Sequence, residues 1–513
     1  MNSYIIFSSS VKKYPGGCLD VYFGSQTGTA ESFANQLARE GEKKGFHVKV
    51  NNLEDITGDV VEFLTKASSR DICGRNRAIF LMATYGEGEP TDNAVTFIRT
   101  LKAMVSKMSD IEDPSSSEEK KIDNDEIDTL QSPGLRLGNL DFAVFGLGNK
   151  QYEHFNAMGK FLDGTMEKIG AYRILQLGLG DDDNDLEGDF ETWKEKQLWP
   201  TLISRYLSEQ PKAIMSTNDE PQLEVAFSVE YINGPFKPDT VSLDEVPLSS
   251  KAYFSSVVSP ILGKRELRSP ADGGSTLHVE IDIRNSSIEY ETADNLGVLP
   301  VNDKSIVEAT ANALQYDLDA IFKLVPKPGH ESKYKSIFPT PCTVRDLLEK
   351  YCDLTSAPRR SELKLLSHFA KDPISKNALL RMASKEGKDE YRDKILDAHV
   401  GIADIVTRLC PSIQIPLNYF IDIVPRLQPR YYTISSSSSV HPKSIHITVS
   451  VLNSSRKDGT ILKGVCSNYL SNLSDHSPLR IFIRPSSFRL PSDVSLCVCK
   501  TPYLYCFQSY VKT

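Results

Sequence analysis

Hydroxyl side chains and a glycine follow an apolar run near the start of the chain, in an arrangement suited to binding an anion. The run 19–23 ends at Gly24, and six residues then lead into a segment with apolar side chains at helical spacing: Ser25, Gln26, Thr27, Gly28, Thr29 and Ala30. Backbone N–H groups and the dipole of a helix N-terminus attract negative charge. Because triphosphate and dinucleotide glycine patterns are absent, the loop predicts a site for one phosphate monoester. The alternative is an N-capped surface helix.

Glycines and tyrosines follow two later apolar runs, 78–83 and 142–145. Tyr85 lies in the segment 84–90, and Tyr152 lies in the segment 146–156. Two aromatic rings beside an anion site are suited to the two faces of a flat conjugated ligand. Taken alone, each tyrosine is better explained as a rim residue. Their recurrence at successive strand ends favours a ring-binding site.

An acidic segment, 178–185, follows the fourth apolar run, 174–177. It contains Asp181, Asp182 and Asp183. Such charges are usually a solvated face. Next to a redox site they would also steer a basic partner protein, which is the alternative that we retain.

The elements that must position these loops alternate between apolar strands and helical segments. This alternation predicts a doubly wound α/β domain with a parallel sheet, in which ligands lie beyond the carboxyl ends of the strands. A helix that carries both tryptophans of the chain closes the domain. The polar stretch 102–137 predicts a disordered acidic insertion.

The second half begins with a proline-punctuated linker, 208–251, and a strand near 252–258. Period-two alternation predicts a strand over 277–283, and residues 303–427 have the texture of a helical insert. Strands are predicted at 430–436 and 444–451, followed by a turn that opens a helix at Gly464. These segments indicate a second site for an anion and a ring, because they supply an arginine, an aromatic pair and a helix N-terminus. The run of serines is equally consistent with a loop that binds nothing.

Composition bounds these interpretations. The chain has 513 residues, 40% hydrophobic and 25% charged, so it predicts a soluble protein of two or three domains. A net charge of −9 argues against nucleic acid as a partner. The nine cysteines lack metal-ligand spacing, so we expect no metal site and a reducing cytosolic setting. His330, His368 and His399 are expected on the surface. The apolar run 4–7 is too short to cross a bilayer.

Four segments, 24–30, 83–92, 145–156 and 177–183, resemble the FMN loops of the NADPH–cytochrome P450 reductase family of diflavin reductases. Segments 425–435, 464–467 and 488–491 resemble the FAD-binding barrel of the same family. The resemblance implies an α/β flavodoxin-like doubly wound domain over 19–207 and a linker over 208–251. An antiparallel β-barrel FAD domain over 252–491, with its helical connecting insert at about 303–427, would follow.

The resemblance also assigns roles to residues. The residues implied at FMN are Ser25, Gln26, Thr27, Gly28, Thr29, Ala30, Ala83, Thr84, Tyr85, Gly86, Gly88, Leu147, Gly148, Asn149, Tyr152, His154, Asn156 and Asp182. The residues implied at FAD are Arg430, Tyr431, Tyr432, Thr433, Thr448, Val449, Ser450, Gly464, Val465, Cys466 and Ser467. Ser436 would lie beside the reactive nitrogen of the flavin as a catalytic residue, and Arg265 would face the pyridine nucleotide.

Two positions depart from the family pattern. Val400, beside His399, stands where the family has an arginine toward the FAD pyrophosphate, and Ser454 stands where it has an aromatic ring. The loss of a charge-assisted phosphate contact costs about 1.5–3 kcal/mol, so we expect weaker FAD binding.

The implied function is electron transfer from NADPH through FAD and FMN to haem proteins of the cytochrome P450 or cytochrome c type, which would dock at Asp181, Asp182 and Asp183. The family carries a membrane helix, on the cytosolic face of the endoplasmic reticulum, and a nucleotide domain. Neither is found in this sequence, and no glycine follows Gly464. We therefore expect a cytoplasmic chain that does not turn over NADPH, with a non-family tail at 492–513. The alternatives are a non-catalytic flavin-bearing docking module, and a shortened isoform or an erroneous gene prediction.

Overall fold

The computed structural model describes residues 14–56, 60–66, 75–86, 88–112, 137–207, 225–243, 246–247, 250–269, 273–328 and 336–486. The chain divides into two compact units, Met1–Pro221 and Gln222–Thr513. Several sequence predictions lie outside the described residues. They concern most of the insertion (113–136), the first part of the linker (208–224), His330, the segment 488–491 and the tail 492–513.

A parallel sheet forms the centre of the first unit. Its strands are β1 (Cys18–Gly24), β2 (His47–Asn52), β3 (Asn76–Tyr85), β5 (Leu140–Gly148), β6 (Tyr172–Arg173) and β7 (Gly178–Asp181), and β4 (Glu89–Pro90) pairs antiparallel with β3. The order is β2-β1-β3-β5, and β6 and β7 pair with successive parts of β5. The interiors of β3 and β5 are apolar and buried, as strands covered on both faces require. The predicted doubly wound architecture is confirmed.

Helices cover this sheet. They are α1 (Thr29–Lys43), α2 (Val60–Lys66), α3 (Val95–Glu112), α4 (Ala157–Lys168), α5 (Leu186–Trp193) and α6 (Trp199–Tyr206), with 3₁₀ turns at Leu53–Asp55 and Asp92–Ala94 and a π-helical turn at Lys194–Leu198. The apolar face predicted for α1 is buried, including Phe33 and Leu37. The two tryptophans lie in α5 and α6, as predicted.

Three details of the first unit differ from the sequence predictions. The strand predicted at 174–177 is wrong, because these residues form the break between β6 and β7. Strand β2 was missed, because its sequence is polar and it lies at the sheet edge. Residues 102–112 continue α3 and are therefore helical rather than disordered.

The second unit contains an antiparallel sheet and two smaller ones. Its strands are β8 (Phe227–Ile232), β9 (Val257–Glu266), β10 (Ser275–Asp282), β11 (Asn295–Leu299), β12 (Ile321–Pro326), β13 (Cys342–Thr343), β14 (Arg430–Thr433), β15 (Ser444–Val451), β16 (Asn453–Ser455), β17 (Ile461–Lys463) and β18 (Pro478–Arg484). Six of them follow the order β14-β11-β18-β9-β10-β15. The edge strands meet through one antiparallel bridge, Ile434 with Ile447. In the described part of the chain the predicted barrel is thus an antiparallel sheet without a closed ladder.

A helical layer accompanies these sheets. Its helices are α7 (Lys251–Ser255), α8 (Lys304–Leu314), α9 (Val344–Asp346), α10 (Arg360–Ser367), α11 (Pro373–Ala383), α12 (Lys388–Tyr391), α13 (Ile402–Asp404), α14 (Leu417–Ile423) and α15 (Val465–Asn472), with π-helical turns at Leu347–Tyr351, Arg392–Leu396 and Ile405–Leu409. The helices α8 to α14 lie within 303–427, the range predicted to be mainly helical. However, β8 lies in the predicted linker and pairs with β12 of the insert, and α7 replaces the start of the strand predicted near 252. None of the described helices combines the length and apolar character that crossing a bilayer requires.

Candidate functional site

The loop between β1 and α1 is organised by hydrogen bonds to its own backbone. Ser25 donates its N–H to Asn93 Oδ1 over 2.9 Å, and its hydroxyl accepts the N–H of Gly28 at 3.0 Å. Gly28 precedes α1 with a φ of 87°, which a residue with a side chain rarely adopts. The hydroxyls of Thr27 and Thr29 lie 3.4 Å apart. The predicted anion loop is therefore a preformed turn at a helix N-terminus.

The side chain of Asn93 holds this loop by hydrogen bonds, and the sequence analysis missed this residue. Its amide donates to the carbonyl of Phe23 at 3.1 Å and to Asn52 Oδ1 at 2.7 Å. Its side-chain oxygen also accepts the Thr91 hydroxyl at 2.8 Å. Thr91 and Asn93 are both buried. The only sequence signal was their place directly after the glycine-rich segment.

Tyr85 is the last residue of β3 and Tyr152 follows β5, so both lie at the carboxyl edge of adjacent parallel strands, in which Ala83 pairs with Leu147. Their exposed fractions are 41% and 60%, which is high for large aromatic residues. Two open rings at the same sheet edge as the anion loop fit a flat conjugated ligand.

Asn156 lies beneath this edge in a tight packing arrangement. It is buried in a left-handed conformation with a φ of 54° and donates its amide to the Gly180 carbonyl at 3.0 Å. A Cβ on Gly146 would lie 2.8 Å from Asn156 Oδ1, and one on Gly148 would lie 2.8 Å from its backbone nitrogen. Asn156 Oδ1 is buried and has no hydrogen-bond donor among the described residues. A polar ligand group at this edge would satisfy it.

The other predicted contacts of this site divide into exposed and structural positions. Thr84 accepts the N–H of Met158 at 3.2 Å, and Leu147 is buried in the sheet. Gly88 packs on His154, because a Cβ there would lie 2.8 Å from His154 Cβ. Asn149 accepts the N–H of Gln151 at 2.9 Å. These contacts shape the loops around the two tyrosines.

The acidic segment is only partly exposed. Asp181 is buried, accepts the N–H groups of Lys150 and Asp183 at 3.0 and 3.2 Å, and forms an ion pair with Lys150 Nζ at 3.3 Å. Burial opposes its charge, but the hydrogen bonds from Lys150 and Asp183 prevail and lower the pKa of Asp181. Its buried carboxylate is not available for direct contact with a partner, whereas Asp182 and Asp183 are exposed.

The second predicted site is centred on β14. Arg430 donates to the carbonyl of Gln428 at 2.8 Å, and the ring of Tyr431 lies 4.6 Å from the Arg484 guanidinium. Burial, followed by the neighbouring Cys466 thiol, raises the pKa of Tyr432. Thr433 is exposed at the end of the strand. The strand thus presents polar and aromatic groups of mixed accessibility.

The turn at Gly464 opens α15, as predicted. A Cβ on Gly464 would lie 2.8 Å from Ser467 Oγ, which explains the glycine, and Ser467 Oγ accepts the N–H of Leu452 at 3.1 Å. Cys466 is buried, and burial raises the pKa of its thiol to about 11. At this turn the backbone of the helix N-terminus, rather than these side chains, is the group whose dipole would favour an anion.

The residues of β15 that were predicted to contact FAD alternate between accessible and buried side chains. Ser450 is exposed and Thr448 is half-buried, whereas Val449 is fully buried in the sheet core. Because its side chain is buried, Val449 has only its backbone available to a ligand. Arg265 is exposed on β9. Val400 packs against the helical core, and Ser454 is exposed on β16.

Ser436, the predicted catalytic residue, is buried in the loop after β14. Only 4% of its surface is exposed, and its hydroxyl lies 2.9 Å from the Tyr290 hydroxyl and accepts the N–H of His446 at 3.1 Å. These two contacts hold the loop that carries Ser436. Exposed hydroxyls precede Ser436 in the chain at Thr433 and Ser435.

Comparison with known proteins matches both units. The flavodoxin family matches residues 21–193, and the FAD binding domain family matches residues 249–469. The chain is 35% identical to the NADPH–cytochrome P450 reductase of Homo sapiens over 511 residues, which cover 96% of this chain and 68% of the relative. The reductase of Drosophila melanogaster is 36% identical over 94% of the chain and 66% of its own length. This chain belongs to the NADPH–cytochrome P450 reductase family. It spans about two thirds of the length of these relatives.

Membership in this oxidoreductase family identifies the ligands. The flavodoxin-like unit binds FMN, and the second unit binds FAD. The first unit fits FMN, since an anion loop, two exposed tyrosine rings and the buried Asn156 oxygen meet at one sheet edge. The second unit fits FAD, because it contains the helix α15, which begins after Gly464, and the strand β14, which carries aromatic side chains.

Proposed function

We propose that this chain carries electrons from FAD to FMN and delivers them to a haem protein. One observation carries the proposal: the similarity to reductases extends through both flavin-binding units, over 96% of the chain. When bound, FAD accepts electrons in pairs and FMN releases them singly, and the protein supplies position and electrostatics for that chemistry.

In the first unit, the proposed role of residues 25–30 is to bind the FMN phosphate. Their backbone precedes and begins α1, whose dipole favours an anion. The proposed role of Tyr85 and Tyr152 is to cover the two faces of the flavin ring, since both rings are exposed at the carboxyl edge. Asn156 Oδ1 would accept a hydrogen bond from a polar group of the ligand.

In the second unit, Arg430 and the turn at Gly464 are proposed to bind phosphate oxygens of FAD. The guanidinium matches phosphate geometry, and the turn opens a helix. Tyr431, Tyr432 and Thr433 line the same strand and are proposed to contact the ring system. Arg265 on β9 is proposed to face the pyridine nucleotide, because the family uses NADPH as its donor.

Asp182 and Asp183 are proposed to guide a basic haem protein, of the cytochrome P450 or cytochrome c type, toward the FMN edge. Both are exposed, and the backbone N–H of Asp182 donates to the Gly148 carbonyl at 2.8 Å. This bond connects the acidic loop to the loop that carries Tyr152. Charges at this position would raise the rate of encounter more than the strength of binding.

Electron delivery by the full chain tests the proposal. The flavin-loaded protein is reduced with dithionite under anaerobic conditions, freed of reductant and mixed with ferric cytochrome c in a stopped-flow instrument. We expect rapid reduction of the cytochrome. The Tyr85→Ala, Tyr152→Ala double variant, depleted of FMN but still loaded with FAD, should reduce it far more slowly. Equal rates for the two proteins would show that electrons do not leave through FMN. Binding of cytochrome c without its reduction would indicate a non-catalytic docking module.

A further inference from the structure

Two histidines and a glutamate lie side by side on the antiparallel sheet of the second unit. His278 and Glu280 are two residues apart on β10, and the strand register pairs Glu280 directly with His446 of β15. One nitrogen or oxygen atom from each side chain lies within 4.8 Å of the other two. None of these residues is among the predicted flavin or nucleotide contacts.

The three side chains share the face of the sheet that is turned away from its core. Their strand neighbours Val279, Ile445 and Ile447 are fully buried, and successive side chains on a strand point to opposite faces. The side chains of His278 and Glu280 keep exposed fractions of 19% and 43%. The cluster is therefore accessible to an ion from solvent.

We propose that His278, Glu280 and His446 form a binding site for a divalent transition-metal ion of the Zn²⁺ class. The site belongs to the sheet and does not depend on the proposed electron transfer. Two imidazole nitrogens and one carboxylate oxygen are the ligand set that proteins use for Zn²⁺ sites with a water molecule in the fourth position. Carboxylate-only clusters would favour Mg²⁺ or Ca²⁺ instead.

The distances suit a single ion. His278 Nε2 lies 3.3 Å from Glu280 Oε1. Two ligands that bind one tetrahedral Zn²⁺ at about 2.0–2.1 Å lie roughly 3.3–3.4 Å from each other. The ring centroids of His278 and His446 are 5.1 Å apart and nearly perpendicular, and a nitrogen of His446 lies within 4.8 Å of both other ligand atoms.

Neighbouring groups already orient the His446 ring. Ser444 Oγ lies 3.1 Å from His446 Nε2, and Ser436 Oγ accepts the backbone N–H of His446 at 3.1 Å, so the first contact orients the ring and the second holds the backbone. Outer hydrogen bonds of this kind fix the orientation of metal-binding imidazoles. Arg265 pairs with His278 from β9, but it is exposed, so water screens its charge. An ion here would link β10 to the edge strand β15, which carries Thr448 and Ser450.

The sequence analysis expected no metal site, because it considered ligand spacing along the chain. Here the ligands come from two strands that are distant in sequence, and only the antiparallel register brings them together. Equilibrium dialysis of the flavin-loaded full chain against Zn²⁺, followed by metal analysis, tests the site. We expect saturation at one ion per chain. In His278→Asn and in His446→Asn the affinity for Zn²⁺ should fall about tenfold or more.

A matched control is available at His399, which is exposed and has a φ of 51°, a conformation that asparagine adopts readily. His399→Asn should bind Zn²⁺ like the original chain. Zn²⁺ should raise the Tm of the original chain and of His399→Asn, but not of His278→Asn, whose own cooperative transition shows that it is folded. Glu280→Gln should behave like His278→Asn.

Two outcomes would overturn the proposal. The absence of saturable binding would leave the cluster as a hydrogen-bonded surface group. Equal binding by the original chain and by both histidine variants would place the ion elsewhere, for example on a free thiol such as that of Cys18.

Discussion

At the scale of single residues, Asp181 connects two loops at the carboxyl edge of the first sheet. Its carboxylate accepts backbone N–H groups of Lys150 and Asp183, and its own N–H donates to Asp189 Oδ2 at 3.0 Å. The loop with Tyr152 and the acidic loop are thus tied to one buried carboxylate. Its role is to position both loops.

Asp181→Asn should lower the free energy of unfolding by about 1–2 kcal/mol, because it removes the charge from these hydrogen bonds while its partner Lys150 remains solvated. The pKa of Asp181 is lowered below its ordinary value of 3.8. Its stabilisation is therefore fully present above that value and is lost as the pH falls through the lowered pKa. Denaturant titrations of both proteins from neutral to acid pH measure the difference.

The exposed neighbour provides the control for this prediction. Asp182→Asn should change stability by no more than about 0.5 kcal/mol at any of these pH values. A stability difference between the original chain and Asp181→Asn that persisted unchanged in strong acid would contradict the account of Asp181.

Ser436→Ala should destabilise the second unit by about 1–3 kcal/mol, because it leaves the N–H of His446 and the hydroxyl of Tyr290 with one partner fewer. The absorption spectrum of bound FAD should not change. Thermal unfolding together with the flavin spectrum measures both effects. Ser435→Ala, at the exposed neighbouring position, should be nearly neutral. A shifted flavin band with unchanged stability would instead support the catalytic position predicted from the sequence.

At the scale of elements, the sequence predicts best where a residue pattern has one physical explanation. The buried strands β1, β3 and β5 and the helix α1 were predictable from apolar runs and helical spacing. Residues 174–177 were misread as a strand, because apolar content alone does not distinguish a strand from a buried break. The role of Asn93 and the burial of Ser436 were not predictable for a related reason: the partners of a buried polar group are set by tertiary contacts.

Gly28 shows how one backbone conformation sets the start of an element. With a φ of 87° and no heavy atom within 4 Å of a Cβ built there, Gly28→Ala meets strain but no clash. We expect a loss of about 1–2 kcal/mol in stability and weaker FMN binding, because the turn no longer presents its backbone to the phosphate. Denaturant unfolding and FMN titration measure these effects.

Gly164 is the matched control within α4, since a Cβ there also has open space and its backbone is helical. Gly164→Ala should increase stability by about 0.5–1 kcal/mol and leave FMN affinity unchanged. If the two variants had the same sign of effect on stability, the strained turn at Gly28 would not be what shapes the loop.

At the scale of the whole molecule, the net charge of −9 favours a basic partner only where acidic side chains are exposed. Asp182→Asn combined with Asp183→Asn should slow reduction of cytochrome c at low ionic strength and flatten its salt dependence, because ions screen steering beyond about 10 Å at 0.1 M. Stopped-flow rates over a salt series measure this.

An equal change of charge elsewhere separates local steering from the effect of net charge. Glu386→Gln combined with Asp389→Asn alters two exposed acids of the helical insert. This control should retain the original rate and salt slope. If the reduction rates of both double variants depended on salt in a similar way, Asp182 and Asp183 would be solvated loop residues without a role in steering.

The flavin content of the purified full chain tests the central claim most directly. Flavins released by denaturation and separated by chromatography should amount to one FMN and one FAD per chain. In the Tyr85→Ala, Tyr152→Ala variant FMN alone should fall, since each ring contributes about 1–3 kcal/mol by analogy with base stacking. Full retention of FMN in that variant, or parallel loss of both flavins, would contradict the assignment of FMN to the edge formed by these tyrosines.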